Sequence, residues 1–188
     1  QCIEDITLQE LYGKPSWNGL DMSSSQDITA FVQVFYDEDI DKYIIYPHLF
    51  TPKNTLAERT ERDNVRYDVY VQNKHLIDLD GNYINFEQLH GHIKELSGHF
   101  EIKEIGFDRW GAIGIISALE ENFTVIPMGQ NAKTMSPAIK DFENLLIDKR
   151  LIIANNPAFT WMAGNVVATM DASGNVKYDK KKSKNKID

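Results

Sequence analysis

Trp17-Asn18-Gly19-Leu20-Asp21-Met22-Ser23-Ser24-Ser25-Gln26-Asp27-Ile28-Thr29-Ala30-Phe31-Val32-Gln33-Val34-Phe35-Tyr36 is the stretch on which the fold turns. An apolar approach through Leu20 and Met22 enters a polar turn of three serines and a glutamine, and a β-branched and aromatic run from Ile28 to Tyr36 returns from it. That pattern predicts a hairpin. Asp21 stands on its first strand between two apolar residues, where an aspartate is poorly suited and seldom buried without a partner. A bound cation would supply that partner. The alternative is that Asp21 opens the turn and caps the serine loop through its side chain.

Downstream of the hairpin, the acidic run Asp37-Glu38-Asp39-Ile40-Asp41 reads as a solvated hairpin tip, and Lys42 to Phe50 as a third strand. These make an antiparallel meander. The texture then changes to a short-helix excursion from Asn54 to His75, followed by a D-G-N turn at Asp80-Gly81-Asn82. Phe86, Leu89, Ile93 and Leu96 recur at helical spacing and predict a helix from Asn85 to Ser97. Beyond it, strand and helix alternate: Ile102 to Phe107, Ala112 to Asn122, Phe123 to Met128, then Ser136 to Ile147 with Ser136 as cap and Pro137 in the first turn. Such alternation implies parallel crossovers and a sheet covered on both faces. Leu151 to Ala154 predicts another strand, Asn156-Pro157 the start of a helix ending near Gly164, and Val166 to Tyr178 a closing hairpin. The expected class is therefore α/β, with a mixed central sheet, an antiparallel meander first and parallel strands later, flanked by helices.

Upstream, residues 1–14 read as a lead-in, with a short helix around Thr7 to Tyr12 stopped by Gly13-Lys14-Pro15, and residues 15–188 as one domain. The 188 residues, 42% of them hydrophobic, suffice for one domain with a proper core. A start at Gln1 and an end at Asp188 suggest a piece of something longer. No apolar run approaches bilayer-spanning length, and no signal-peptide pattern opens the chain. Cys2, the single cysteine, can form neither an internal disulfide nor a thiolate cluster. The net charge of −8 speaks against gripping nucleic acid by overall positive charge, but Lys177 and Lys180 to Lys186 make the tail strongly basic. No G-x-x-x-x-G-K-[ST] phosphate loop is present.

Two further carboxylates join Asp21. Asp108 ends Glu104-Ile105-Gly106-Phe107-Asp108, at the carboxyl end of an expected parallel strand, where ligands bind in open α/β sheets; its alternative role is to cap the next helix. Asp188 follows the lysine-rich tail. Three such carboxylates could hold two hard divalent cations about 3.5–4 Å apart, the arrangement that serves phosphodiester cleavage. With 28 acids in the chain, spacing alone does not show that they meet. His90, His92 and His99 lack the i, i+4 spacing of a helical zinc pair and read as surface or helix-end residues. His48 follows Tyr46-Pro47 on a strand, without an assigned role.

Several segments carry a resemblance: Gly19 to Ala30; Gly106-Phe107-Asp108-Arg109-Trp110; Met128-Gly129-Gln130 with Met135 to Lys140; Trp161-Met162-Ala163-Gly164-Asn165-Val166; and Asp179-Lys180 through Ser183 to Lys186-Ile187-Asp188. In order and spacing they resemble the C-terminal nuclease domain of tailed-phage large terminase subunits, over nearly the whole chain from Trp17. The resemblance implies an RNase H-like fold and a divalent-metal-dependent endonuclease that cuts concatemeric double-stranded DNA during packaging. It implies that residues 1–14 link to an N-terminal ATPase domain, and that the small terminase subunit and the portal are partners in the bacterial host cytoplasm, with no membrane involved. On the matching positions, Asp21, Asp108 and Asp188 fall on the family's metal-binding carboxylates for two Mg2+ or Mn2+ ions. Asp27 matches too and reads as a brace for the serine turn. Arg109, Lys180, Lys182 and Lys186 are the expected phosphate contacts, since sequence-tolerant cutting needs backbone neutralisation more than base readout. In the family the chain continues past the position of Asp188 into a glycine and an apolar helix, a departure at the third carboxylate. Two other readings compete: a catalytically silent DNA-binding or docking module of the packaging motor, and another RNase H-like nuclease such as a resolvase or transposase core.

Overall fold

The computed structural model describes residues 2–23, 27–108, 113–180, 182–183 and 185–187. In chain order these form β1 (Ile3–Glu4), a 3-10 turn (Leu8–Leu11), β2 (Pro15–Asp21), β3 (Thr29–Asp37) and β4 (Lys42–Pro52). There follow α1 (Leu56–Asp63), α2 (Tyr67–Gln72), β5 (Ile77–Leu79), α3 (Phe86–Ser97), β6 (Glu101–Asp108), α4 (Ile113–Glu120) and β7 (Val125–Met128). The chain closes with α5 (Ala132–Ile147), β8 (Leu151–Ala154), α6 (Pro157–Gly164), β9 (Ala168–Met170) and β10 (Val176–Tyr178).

The meander forms as expected. β2 pairs antiparallel with β3, and β3 with β4, so that Leu20, Phe31 and His48 lie side by side across three strands. Ser23 donates its backbone N–H to Thr29 Oγ1 at 2.9 Å, which closes the neck of the β2–β3 turn. β6 lies parallel to β2 and β7 parallel to β6, with α4 as the crossover; on the other side β8 runs parallel to β4 and β1 to β8. The order β1-β8-β4-β3-β2-β6-β7, with β5 beside the end of β4, makes a mixed sheet of eight strands among the described residues. Gly13 turns the chain into β2 with φ +80°, a backbone position that suits a residue without Cβ.

Strand alternation divides the sheet into two faces. Leu20, Phe31, Phe35, Ile44, Phe50, Ile105 and Phe107 point to one face, where Leu89, Ile93 and Leu96 of α3 and Ile115 and Leu119 of α4 cover them. Ala30, Leu49 and, on β8, Leu151 and Ile153 point to the other, where they meet Tyr67 of α2, Met162 of α6 and Phe142 and Leu145 of α5. Phe31, Phe35 and Phe50 are fully buried, and each contributes about 1.5–3 kcal/mol by leaving water.

One polar line crosses the first core. His92 of α3 faces His48 Nδ1 at 3.4 Å, and His48 Nε2 meets Gln33 Oε1 at 3.0 Å. Gln33 Nε2 then donates to Ser16 Oγ at 3.3 Å, Ser16 Oγ to Asn18 Oδ1 at 3.2 Å, and Asn18 Nδ2 to the Glu104 carbonyl at 3.0 Å. The Nε2–H tautomer of neutral His48 satisfies both its neighbours, with every donor pointing from α3 toward β6. Buried Gln33, Ser16 and His48 thus escape the cost of unpaired polar burial.

One boundary differs from expectation. Helix α5 begins at Ala132 rather than at Ser136, capped by Asn131, whose Oδ1 accepts from the Thr134 amide at 3.0 Å. Ser136 is buried inside the helix and its hydroxyl receives the Val176 amide at 3.0 Å, which ties the β9–β10 hairpin to α5. Pro137 lies inside the helix, past its first turn, and so has no N–H to give to the Lys133 carbonyl.

Candidate active site

Parallel pairing of β2 with β6 runs from Pro15↔Glu101 to Leu20↔Phe107, and the next residues along the two strands are Asp21 and Asp108. Both strands end there. Because Leu20 and Phe107 point into the first core, alternation sends Asp21 and Asp108 together to the opposite face. Two carboxylates from segments 87 positions apart therefore meet at the carboxyl ends of neighbouring parallel strands. Asp21 is held from its other side by Ala30 of β3, and Asp108 by Met128 of β7. Below them lies a trough of about 340 Å3, floored by Gly19 and Gly106 and walled by Ala30, Val32, Met128 and Met135. A Cβ at Gly106 would sit 3.2 Å from Met128 Cγ, so the glycine is what leaves room beside the carboxylates.

The lysine-rich tail comes back to this edge. Lys180 Nζ lies 2.9 Å from Asp21 Oδ2, so the expected phosphate contact is seated on an expected metal ligand. Lys186 Nζ lies 3.0 Å from Asp27 Oδ1, and the Lys186 carbonyl accepts from Asn165 Nδ2 at 3.0 Å. Asn165 thus bonds main chain of the tail. Asp27 also accepts the Ile28 amide at 3.2 Å, so these contacts run to the start of the returning strand and to the tail, while Ser24, Ser25 and Gln26 of the serine turn lie outside the described residues. Lys182 is exposed.

A second cavity, about 270 Å3, adjoins the site and is lined by Asp27, Asp63, Tyr67, Trp161, Lys180 and Lys186 among others. Asp63 accepts from Tyr67 Oη at 3.1 Å and from Arg62 Nε at 2.7 Å. The Arg62 guanidinium, followed by the Tyr67 hydroxyl, holds the Asp63 carboxyl below its usual range against the effect of burial. Burial, with Asp63 beside it, pushes the Tyr67 phenol up. No sequence pattern singled out Asp63 and Tyr67, which sit in the short-helix excursion and reach the site only because α1 and α2 fold back over β4.

Arg109 and Asp188 lie outside the described residues. Among the described residues no group of three or more His, Cys, Asp or Glu side chains is gathered as a metal cluster. The histidines separate: His92 packs on His48 in the core, His99 stacks on Tyr12 with ring centroids 4.4 Å apart, and His90 Nε2 is buried without a hydrogen-bond partner among the described residues. Trp161 meets Tyr67 edge-on and Met162 is buried.

A mixed sheet in this strand order, with paired carboxylates on two neighbouring strand ends, defines an RNase H-like fold, and the solved structures it matches are terminase nucleases. The chain belongs to the family described as "Terminase large subunit, endonuclease domain", which matches residues 1–188. It is 33% identical over 179 residues to the terminase large subunit of Enterobacteria phage HK97, covering 90% of this chain and 34% of that protein. The chain thus spans about a third of the length of that relative. The crystal structure of the HK97 large terminase superposes with a TM-score of 0.85 at 30% identity, over 98% of this chain and 41% of that one. The nuclease of thermophilic phage G20c, solved with bound magnesium, shares the fold at a TM-score of 0.58 and 16% identity, over 98% of this chain and 79% of that one. The nuclease domain of phage SPP1, solved with bound Mn, does so at 0.51 and 16%, over 95% and 86%. No helix among the described residues is long and apolar enough to cross a membrane.

Proposed function

We propose that this chain is a divalent-metal-dependent endodeoxyribonuclease that cuts concatemeric double-stranded DNA during phage genome packaging, with Asp21, Asp108 and Asp188 as its metal-binding carboxylates. The observation that carries the reading is the meeting of Asp21 and Asp108 on one face at the ends of β2 and β6. The donor set fits a hard cation: carboxylate oxygens, half-exposed, with the Lys180 ammonium already standing in as positive charge on Asp21. Two Mg2+ or Mn2+ ions bound there would supply Lewis-acid stabilisation of the attacking and leaving oxygens of the phosphodiester.

The chain's own residues do the rest. Backbone pairing of Asp21 with Ala30 of β3 and of Asp108 with Met128 of β7 fixes both main chains, so their side chains leave the sheet on one face before anything binds. Gly19 and Gly106 put no side chain into the adjoining trough, which keeps it open beside the carboxylates for a bulky duplex to approach. Asp27 and Asn165 tie down Lys186, two positions before Asp188 in sequence. Arg109, Lys180 and Lys182 contact backbone phosphates, and Lys186 adds positive charge while clasped by Asp27. In the longer protein this domain works beside an ATPase domain that precedes residues 1–14, themselves packed on the domain through the Ile3–Glu4 strand and Leu11, with the small terminase subunit and the portal, in the host cytoplasm.

The test is nicking and linearisation of plasmid DNA by the chain in Mn2+, in Mg2+ and in chelator, beside Asp21→Asn and Asp108→Asn. Cleavage falls to the chelator background in both variants, with their circular dichroism unchanged. Cleavage retained in both removes the site, and metal-independent cleavage removes the mechanism.

A further inference from the structure

Lys180 is placed with more definition than a solvated tail requires. The Asp179 amide donates to the Val167 carbonyl at 2.9 Å, and the Asp179 carbonyl accepts the Lys182 and Ser183 amides at 3.1 Å each and the Ser183 hydroxyl at 3.0 Å. This turn fixes the backbone on either side of Lys180. Seven positions downstream of Asp179, Lys186 is anchored by Asp27 and Asn165, so the segment is held at both ends. Between those anchors the Lys180 side chain spans from the tail to β2 and sets its ammonium 2.9 Å from Asp21 Oδ2.

We propose that Lys180 is a positioning residue that acts as the internal counter-ion of Asp21: its ammonium holds that carboxylate before a divalent ion arrives and must leave it when the ion binds. The inference rests on the metal-site reading above. Asp21 Oδ2 cannot accept a full ammonium contact and ligate a dication in the same direction, and two positive charges a few ångströms apart repel. Ion binding therefore competes with Lys180 and releases its ammonium on the side where the DNA backbone would lie. The coupling keeps Asp21 neutralised and oriented without metal, and delivers a phosphate-binding charge only when the site is loaded.

Half-exposed, the Lys180–Asp21 pair is worth a factor of about two to five in an equilibrium constant. Removing Lys180 relieves the competition by that factor. The experiment is calorimetric titration of Mn2+ alone, without DNA, into the chain, Lys180→Met, Lys180→Arg, Asp21→Asn and the Asp21→Asn/Lys180→Met double variant. Lys180→Met binds Mn2+ about twofold to fivefold more tightly, Lys180→Arg stays near the parent, and the gain disappears in the Asp21→Asn background. Unchanged or weaker Mn2+ binding by Lys180→Met overturns the inference, as does an equal gain in both backgrounds, which would mark general electrostatics. If Asp21→Asn binds Mn2+ as the parent does, the metal site itself fails; if it binds more weakly while Lys180→Met shows no gain, only the counter-ion role fails.

Discussion

Acidification probes the buried polar line through the first core. Burial, with His92 beside it, lowers the His48 pKa from 6.5 to about 3. In the unfolded chain the imidazole titrates near 6.5, so as pH falls the unfolded state takes up a proton that the native state refuses. A depressed histidine therefore contributes no pH-dependent loss well above pH 6.5, and progressively destabilises the native state from there down to about pH 3. From pH 7 to pH 5 the difference integrates to about 2 kcal/mol, approaching a limiting slope of ~1.4 kcal/mol per pH unit. His92, lowered chiefly by its own burial, adds in the same direction. Urea unfolding of the parent and of His48→Gln at pH 7 and pH 5 isolates the contribution, because glutamine can still donate to Gln33 Oε1 without titrating. The parent loses about 2 kcal/mol more than the variant across that range, and the His48 ring resonances stay flat in an NMR titration. A His48 midpoint near 6.5, or equal pH dependence in parent and variant, would refute the neutral, satisfied histidine inferred from the packing.

Asn156→Ala removes the side chain that accepts the Ala158 and Phe159 amides at 3.0 and 3.1 Å and donates to the His75 carbonyl at 2.9 Å; the cost is about 2 kcal/mol in urea unfolding, and a change below a few tenths would show that α6 does not depend on its cap. Asp27→Ala frees Lys186 from its half-buried pair, so trypsin cuts the 179–187 segment faster while the rest of the domain resists; an unchanged rate would mean that Asp27 does not hold the tail.

The meander and the later strand–helix alternation were legible because both rest on local signals: period-two apolar runs broken by turn residues, and helical spacing from Phe86 to Leu96. The start of α5 was not, since Ser136-Pro137 is a good local cap that lost to Asn131 once Ser136 was needed inside to receive the Val176 amide. At the site, sequence marked Asp21 as an acid out of place on a strand and Asp108 as an acid at a strand end, and resemblance tied them to metal chemistry. It could not show that they are neighbours, because that depends on β6 inserting beside β2 in parallel register, a pairing between segments far apart in the chain. Lysine composition likewise announced a basic tail and left open where each charge lands. Lys180 on Asp21 and Lys186 on Asp27 are long-range contacts, decided by the path the chain takes after β10 and invisible to any local pattern. The same holds for Asp63 and Tyr67, which no motif marks and which only the fold-back of two short helices brings to the site's edge. Local preference determined the elements and the residue types available for chemistry; register and tertiary packing decided which of those residues share a face.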